Sequence, residues 1–470
     1  MYPYRRKNKL GAGSIFFMVI FILIIIGSGY LFYTDEGMFW DYLPFISIPV
    51  VVISLILAIF NFVKKIAAGF IFIIFFIIFT AGIIMPTIFG PSAIYQDARQ
   101  CYENKDYTES IDKYKIILNK YPNSKIYDEA LRNISLAYYS NNDYEEAISY
   151  FSKAINEEII QPQDLEIKKI FTDCYAKIAE NSYDEKNYEK SGQNYLKAIE
   201  ILNEIIEQFP DTNEAFISTY KIPEYSYNAA LSFYKSKNWN ETIEILNNII
   251  SGYPENDASK EANLLLFKTY ISESLELNEN KDYENSIIEF LKILDLDKEI
   301  QKQNSYIFNN QKRTIFSNTP TNTLKDIGYD FYNANDYSKA LFVYDTIIDL
   351  SPDIEEQLAP FIVDSKIKLV AGSDHTEIIQ SIPYKSISIP EQSRLHIENT
   401  TPYNLIIYFK GPEYKISKLE AESKTEIDIK SGIYKIAAEL EKSDIPPFYG
   451  EVTYEEDQQY KEIYKISEQQ

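Results

Sequence analysis

Hydrophobic and polar positions change rhythm twice along this chain. Up to about residue 91 the apolar residues gather in long uncharged runs separated by short charged stretches. From 92 to about 372 they recur at steps of three and four, the spacing of one helix face. After residue 380 they alternate in short runs rich in Ile, Tyr and Thr, the spacing of strands. Each rhythm predicts a different element.

Three uncharged runs make up the first region: "SIFFMVIFILIIIGSGYLFY" (14–33), "LPFISIPVVVISLILAIFNFV" (43–63) and "IAAGFIFIIFFIIFTAGIIMPTIFG" (66–90). Each has the length that crosses a bilayer core, so three transmembrane helices are expected. The first run is too long for a cleaved signal peptide and lacks a small-residue cleavage site. "RRKNK" precedes it, the acidic loop "TDEGMFWDY" follows it, and Lys64 and Lys65 separate the second and third runs. That order places the N-terminus in the cytoplasm and residues 92–470 outside it, as a multi-pass protein of the cell membrane.

The helical region repeats itself. "NKDYTESIDKYKIILNKYP", "NNDYEEAISYFSKAI", "EKNYEKSGQNYLKAIEI", "SKNWNETIEILNNIISGYP", "NKDYENSIIEFLKILDLD" and "ANDYSKALFVYDTIIDLSP" each put an aromatic after a polar turn. These lead aromatics are Tyr107, Tyr144, Tyr188, Trp239, Tyr283 and Tyr337. Three residues on stands a small residue: Ser110, Ala147, Ser191, Thr242, Ser286 or Ala340. Seven on stands a large one: Tyr114, Phe151, Tyr195, Leu246, Phe290 or Tyr344. All lie on one stripe of a helix, where the small residue admits a neighbouring helix and the large one fills the groove beside it. Pro122, Pro254 and Pro352 end three of the copies. A further amphipathic run precedes each motif. Residues 353–372 read as a closing helix stopped by Gly372.

The pattern resembles the tetratricopeptide repeat (TPR), a helix-turn-helix unit. The resemblance implies an all-α superhelical solenoid over 92–372, with about six repeats and a cap. It departs from the family in spacing, with lead aromatics 37, 44, 51, 44 and 54 residues apart. Several helices must therefore be longer, or extra turns must intervene. The resemblance also implies that first helices line a groove holding a protein or peptide. Five residues before each lead aromatic, at a position the family turns to its groove, stand Tyr102, Tyr139, Tyr183, Tyr234 and Tyr332, with Asn278 in the fifth copy. Such rings suit an extended peptide or glycan chain. The family's carboxylate clamp is not reproduced. Its matching positions in units one and two hold Tyr95, Arg99, Arg132 and Leu136, of which the two arginines could meet an acidic group.

Residues 373–383 read as a linker. Residues 384–470 read as an antiparallel β-sandwich of about the size of an immunoglobulin-like module. Composition then narrows the function. With 46 basic and 69 acidic residues the net charge is −23, and the acid excess lies entirely beyond residue 91. An acidic body repels phosphate backbones, so nucleic acid is not expected as a partner. Two cysteines and two histidines offer little for a metal or a nucleophile. Cys101 and Cys174 lie a whole repeat apart, too far for a bridge. No HExxH, P-loop or GxGxxG motif is present, so neither a catalytic residue nor a cofactor is expected. The expectation is a non-enzymatic, membrane-anchored scaffold acting at the extracytoplasmic face. Alternatives are a cell-wall or surface-glycan binder using the sandwich, and an accessory subunit of an envelope enzyme or transporter.

Overall fold

The computed structural model describes residues 48, 51–53, 66–378, 380–441 and 445–465. The apolar run at 14–33, and all but a few positions of 43–63, lie outside them. The third run is helical, but it is not an element of its own. Helix α1 (Ile66–Glu103) continues unbroken through it, and its far end carries Ile94, Tyr95 and Ala98 into the core of the first repeat. The expected three transmembrane helices are therefore corrected: among the described residues, no helix is long and apolar enough to cross a membrane. An apolar run marks a segment that avoids water, and its length alone does not name what covers it. The extracytoplasmic orientation depended on three crossings and loses that support.

Contacts divide the chain into two compact units, meeting between Asn238 and Trp239. In the first, α1 is followed by α2 (Tyr107–Lys120), α3 (Tyr127–Ser140), α4 (Tyr144–Asn156), α5 (Leu165–Asp184), α6 (Tyr188–Gln208) and α7 (Asn213–Lys235). Successive helices pack as hairpins. Each lead aromatic is the first residue of a second helix, behind an Asp or Asn at the N-cap. Asp106 and Asn187 accept hydrogen bonds there from the amides of Glu109 and Lys190. One residue earlier the backbone turns left-handed, with φ of 64° at Lys105, 66° at Asn142 and 62° at Lys186. That reversal lets the Asp106 amide donate back to the Cys101 carbonyl and ends the first helix. The turn uses lysine or asparagine where glycine would carry no steric penalty.

The small position does more than permit close approach. Ser110 Oγ donates to the Ala98 carbonyl and Ser191 Oγ to that of Ala179, both at 2.8 Å, so each stitches the two helices of its hairpin. Tyr114, Phe151 and Tyr195 are buried as the stripe requires. Helices α5, α6 and α7 have 20, 21 and 23 residues against 14 in α2 and α3, and the length of α6 and α7 explains the wide third spacing. Cys101 and Cys174 are both thiols, and burial pushes that of Cys174 up to about 12.

The second unit holds α8 (Trp239–Gly252), α9 (Asp257–Glu279), α10 (Tyr283–Leu291), α11 (Lys298–Gln303), α12 (Ser305–Asn318), α13 (Thr321–Asn333), α14 (Tyr337–Leu350) and α15 (Glu355–Ala371). The left-handed turn recurs at Lys281 and Asn335. Helix α10 stops after nine residues, and α11 and α12 fill the longest spacing. Two sheets follow. One has the order β1 (Thr376–Glu377), β8 (Phe448–Tyr454), β7 (Gly432–Leu440), β4 (Leu405–Lys410), β5 (Tyr414–Leu419). The other runs β2 (Lys385–Ser386), β9 (Gln458–Tyr464), β3 (Gln392–Asn399), β6 (Lys424–Lys430). Leu395, Ile407, Phe409, Tyr434 and Tyr460 come from both sheets into one core.

Two features differ from the antiparallel, separately linked sandwich expected. β3 pairs with β9 in parallel, as β1 does with β8. The second pairing pins part of the expected linker. Helix α15, read as the closing helix of the solenoid, also packs against β4, β5, β7 and β8. Ile407 and Phe409 on β4 face the sandwich core, while Tyr408 between them is 5% exposed although it points to the other side. Lys366 on α15 lies 5.6 Å from the Tyr408 ring centroid and bonds Glu439 on β7 at 2.7 Å. Asp364 on α15 accepts from Lys410 on β4, and Glu355 pairs with Lys418 on β5 at 2.8 Å.

Candidate partner-binding groove

The i, i+5 spacing of ladder tyrosine and lead aromatic spans the left-handed turn and folds the two rings edge to face. Centroids lie 5.3 Å apart for Tyr102 and Tyr107, 6.2 Å for Tyr139 and Tyr144, and 5.2 Å for Tyr183 and Tyr188. In the second unit Tyr332 and Tyr337 lie 5.9 Å apart. One ring edge is thus held by packing while the other side of the ladder tyrosine stays half-buried.

Three of their hydroxyls reach across to a later helix. Tyr102 shares a 2.9 Å hydrogen bond with Ser140, and Tyr139 donates to Asp173 at 2.6 Å. Tyr332 donates to Asp364 at 2.5 Å, and Lys368 sits 4.9 Å over its ring. Burial, then the Asp173 carboxylate, pushes the Tyr139 phenol up. These tyrosines are struts between repeats as well as surface. Tyr234 is half-buried on α7. Asn278 is buried, its amide donating to the Ile315 carbonyl at 3.3 Å.

Three cavities follow one another along the first helices of the first unit, and each contains one ladder tyrosine. The first, about 210 Å³, is lined by Arg99, Tyr102 and Glu103 of α1, Tyr114, and Asn133 and Leu136 of α3. The second, about 430 Å³, joins Tyr139 to Lys169, Ile170 and Asp173 of α5, Leu202 and Ile205 of α6, and Ile217 and Lys221 of α7. The third, about 300 Å³, is lined by Glu180, Tyr183 and Asp184 of α5, Tyr195 of α6, and Asn228 and Leu231 of α7. The second is built from the added turns of α5, α6 and α7. Its aliphatic floor and charged rim suit a side chain presented by an extended backbone.

Arg99 therefore joins Tyr102 in one cavity, although its guanidinium is engaged by Glu103 at 3.3 Å. Arg132 does not line these cavities. It donates to the Ile159 carbonyl at 3.2 Å, and the two arginines form no shared anion site. Tyr332 belongs to the second unit. Asn133, Asp173, Asp184 and Asn228 were not singled out by the repeat pattern. Asn133 and Asn228 carry a usable signal, since each stands six residues before a ladder tyrosine, nearly two helical turns away.

A family model described as outer membrane lipoprotein (YfiO) matches residues 89–216, and a tetratricopeptide repeat model matches residues 224–256. Tetratricopeptide repeats are thus present. Photosystem I assembly protein Ycf3 of Synechococcus sp. (strain CC9605) is 31% identical over 86 residues, covering 18% of this chain and 50% of that protein. The Ycf3 protein of strain CC9902 is 30% identical over 88 residues, covering 19% and 51%. The chain spans about half the length of these curated relatives. Among solved structures, the TPR2AB-domain:pHSP90 complex of yeast Sti1 is 14% identical and covers 58% of this chain and 98% of that one, with a TM-score of 0.21. The apo form of RapI is 17% identical and covers 60% and 99%, with a TM-score of 0.22. Scores this low carry no argument, and the fold rests on the geometry above.

Proposed function

We propose that this chain is a non-catalytic scaffold that holds an extended segment of a partner protein along the first helices α1, α3, α5 and α7. The observation that carries this reading is the row of three cavities, each with a half-buried ladder tyrosine in its wall. Rings fixed on one edge by packing lose little entropy when a peptide settles on the other side. The tetratricopeptide repeats support it, since such repeats hold protein or peptide partners. The curated relatives are named as assembly proteins, which fits a chain that holds its partner rather than converting it.

The test is photo-crosslinking from the groove in intact cells, with Tyr102→Ala, Tyr139→Ala and Tyr183→Ala combined. The triple variant should keep its helical circular dichroism and lose the crosslinked partner at least tenfold. An undiminished crosslink in a folded variant would move the binding surface elsewhere.

A further inference from the structure

The third cavity has a chemistry that the other two lack. Its lining carries two carboxylates, Glu180 and Asp184, two tyrosines, one asparagine and Leu231, and no basic residue. In the other two cavities Arg99 faces Glu103, and Lys169 bonds Glu166 at 3.0 Å and Glu214 at 3.4 Å, so their charges are largely matched. In the third, Lys177 neutralises Glu180 from outside at 2.7 Å, while Asp184 has no ion-pair partner among the described residues.

A second observation is independent of the acids. Tyr195 is 6% exposed and forms part of the cavity wall, yet its hydroxyl makes no hydrogen bond among the described residues. The ring is buried while its hydroxyl oxygen keeps some contact with solvent, so it offers an unused hydrogen-bonding atom to a ligand or water. Burial, then the Glu180 carboxylate, pushes its phenol up, and the Glu224 and Asp184 carboxylates add to that push. The Asn228 side-chain amide also has no hydrogen bond among the described residues.

We propose that this cavity is the subsite for a cationic side chain, arginine or lysine, of the partner segment. This rests on the groove reading above and names the charge of the ligand, opposite to that of an acidic peptide. The aliphatic stem lies between the Tyr183 ring and Leu231. The charged head donates to Asp184 and to the Tyr195 hydroxyl oxygen, and the tyrosine faces add a cation–π attraction. Charge complementarity selects this occupant, since a carboxylate in the same place would meet Glu180 and Asp184.

The probes are N-acetyl-arginine amide and its neutral isostere N-acetyl-citrulline amide, titrated into the full chain by ligand-observed NMR. Saturable binding of the arginine probe is expected, at least tenfold tighter than citrulline. Asp184→Asn should weaken it about tenfold, and Glu158→Gln, an exposed acid outside the cavity, should leave it unchanged. Equal affinity for both probes, no saturable binding, or equal losses in the two variants would overturn the proposal. If the groove reading alone is wrong, the arginine probe still binds and depends on Asp184, while the tyrosine triple variant keeps its crosslinked partner.

Discussion

Glu273 on α9 shows what a single buried carboxylate does to this scaffold. Its Oε2, like that of Glu289 on α10, is buried without a hydrogen-bond partner. Burial and then the Glu289 charge raise its pKa to about 7, against an opposing pull from Lys292, which bonds Glu289 at 2.6 Å, and a further push from Glu276. The folded state therefore binds this proton more tightly than the unfolded chain does. The stabilisation is complete below the ordinary carboxylate range near 4.5 and is lost as pH rises through 7. Glu273→Gln should raise the melting temperature at pH 8 and flatten its pH dependence between about 5 and 8. Thermal unfolding across that range reads both effects. Gly328 tests close approach at the same scale. A Cβ there would stand 2.5 Å from the Tyr344 ring. Gly328→Ala should cost about 1–3 kcal/mol in chemical denaturation, because the ring is a fully buried core side chain with no room to retreat.

At the scale of elements, α15 is held by more than apolar packing. Asp364 receives hydrogen bonds from Lys410 of β4, Tyr332 of α13 and Lys368 of its own helix. Burial opposes its charge, but those three donors outweigh it and hold the pKa at about 2. The folded value lies below the ordinary one, so this stabilisation is present above about pH 4 and lost as pH falls toward 2. Asp364→Asn should cost about 2–4 kcal/mol at pH 7 and remove that acid-sensitive limb, measured by denaturant unfolding at pH 7 and 3. None of this was legible in the sequence. The helix pattern of 353–372 gave the element and its Gly372 stop, but its partners on β4, β5 and β7 follow forty to eighty residues later, and no local periodicity points to them. The repeats were legible for the opposite reason. Tyr107, Ser110 and Tyr114 report one helix face within eight residues, and every hairpin repeats that local rule. The cavities fall between these extremes. Tyr102, Tyr139 and Tyr183 could be placed by counting from a turn, whereas Asp184, Tyr195 and Asn228 come from three helices and meet only once those helices are packed.

For the whole molecule, one sequence rule failed and another gained a meaning. The apolar runs before residue 91 measured avoidance of water, and α1 shows such a run continuing directly into a repeat helix. The acid excess beyond residue 91, read first as exclusion of nucleic acid, becomes local and specific at the third cavity. The two compact units differ in how their chain is completed. The first is made of hairpins whose partners follow one another in sequence. The second is not, because α15 lies under strands of which the last, β8, ends at Tyr454. During synthesis, then, the first unit has all its parts once residue 238 has left the ribosome. The second must wait, with a finished helix and no roof, until Tyr454 has emerged. A ribosome stalled anywhere between α15 and β8 would hold a chain in which the strand-facing side of α15 is still uncovered.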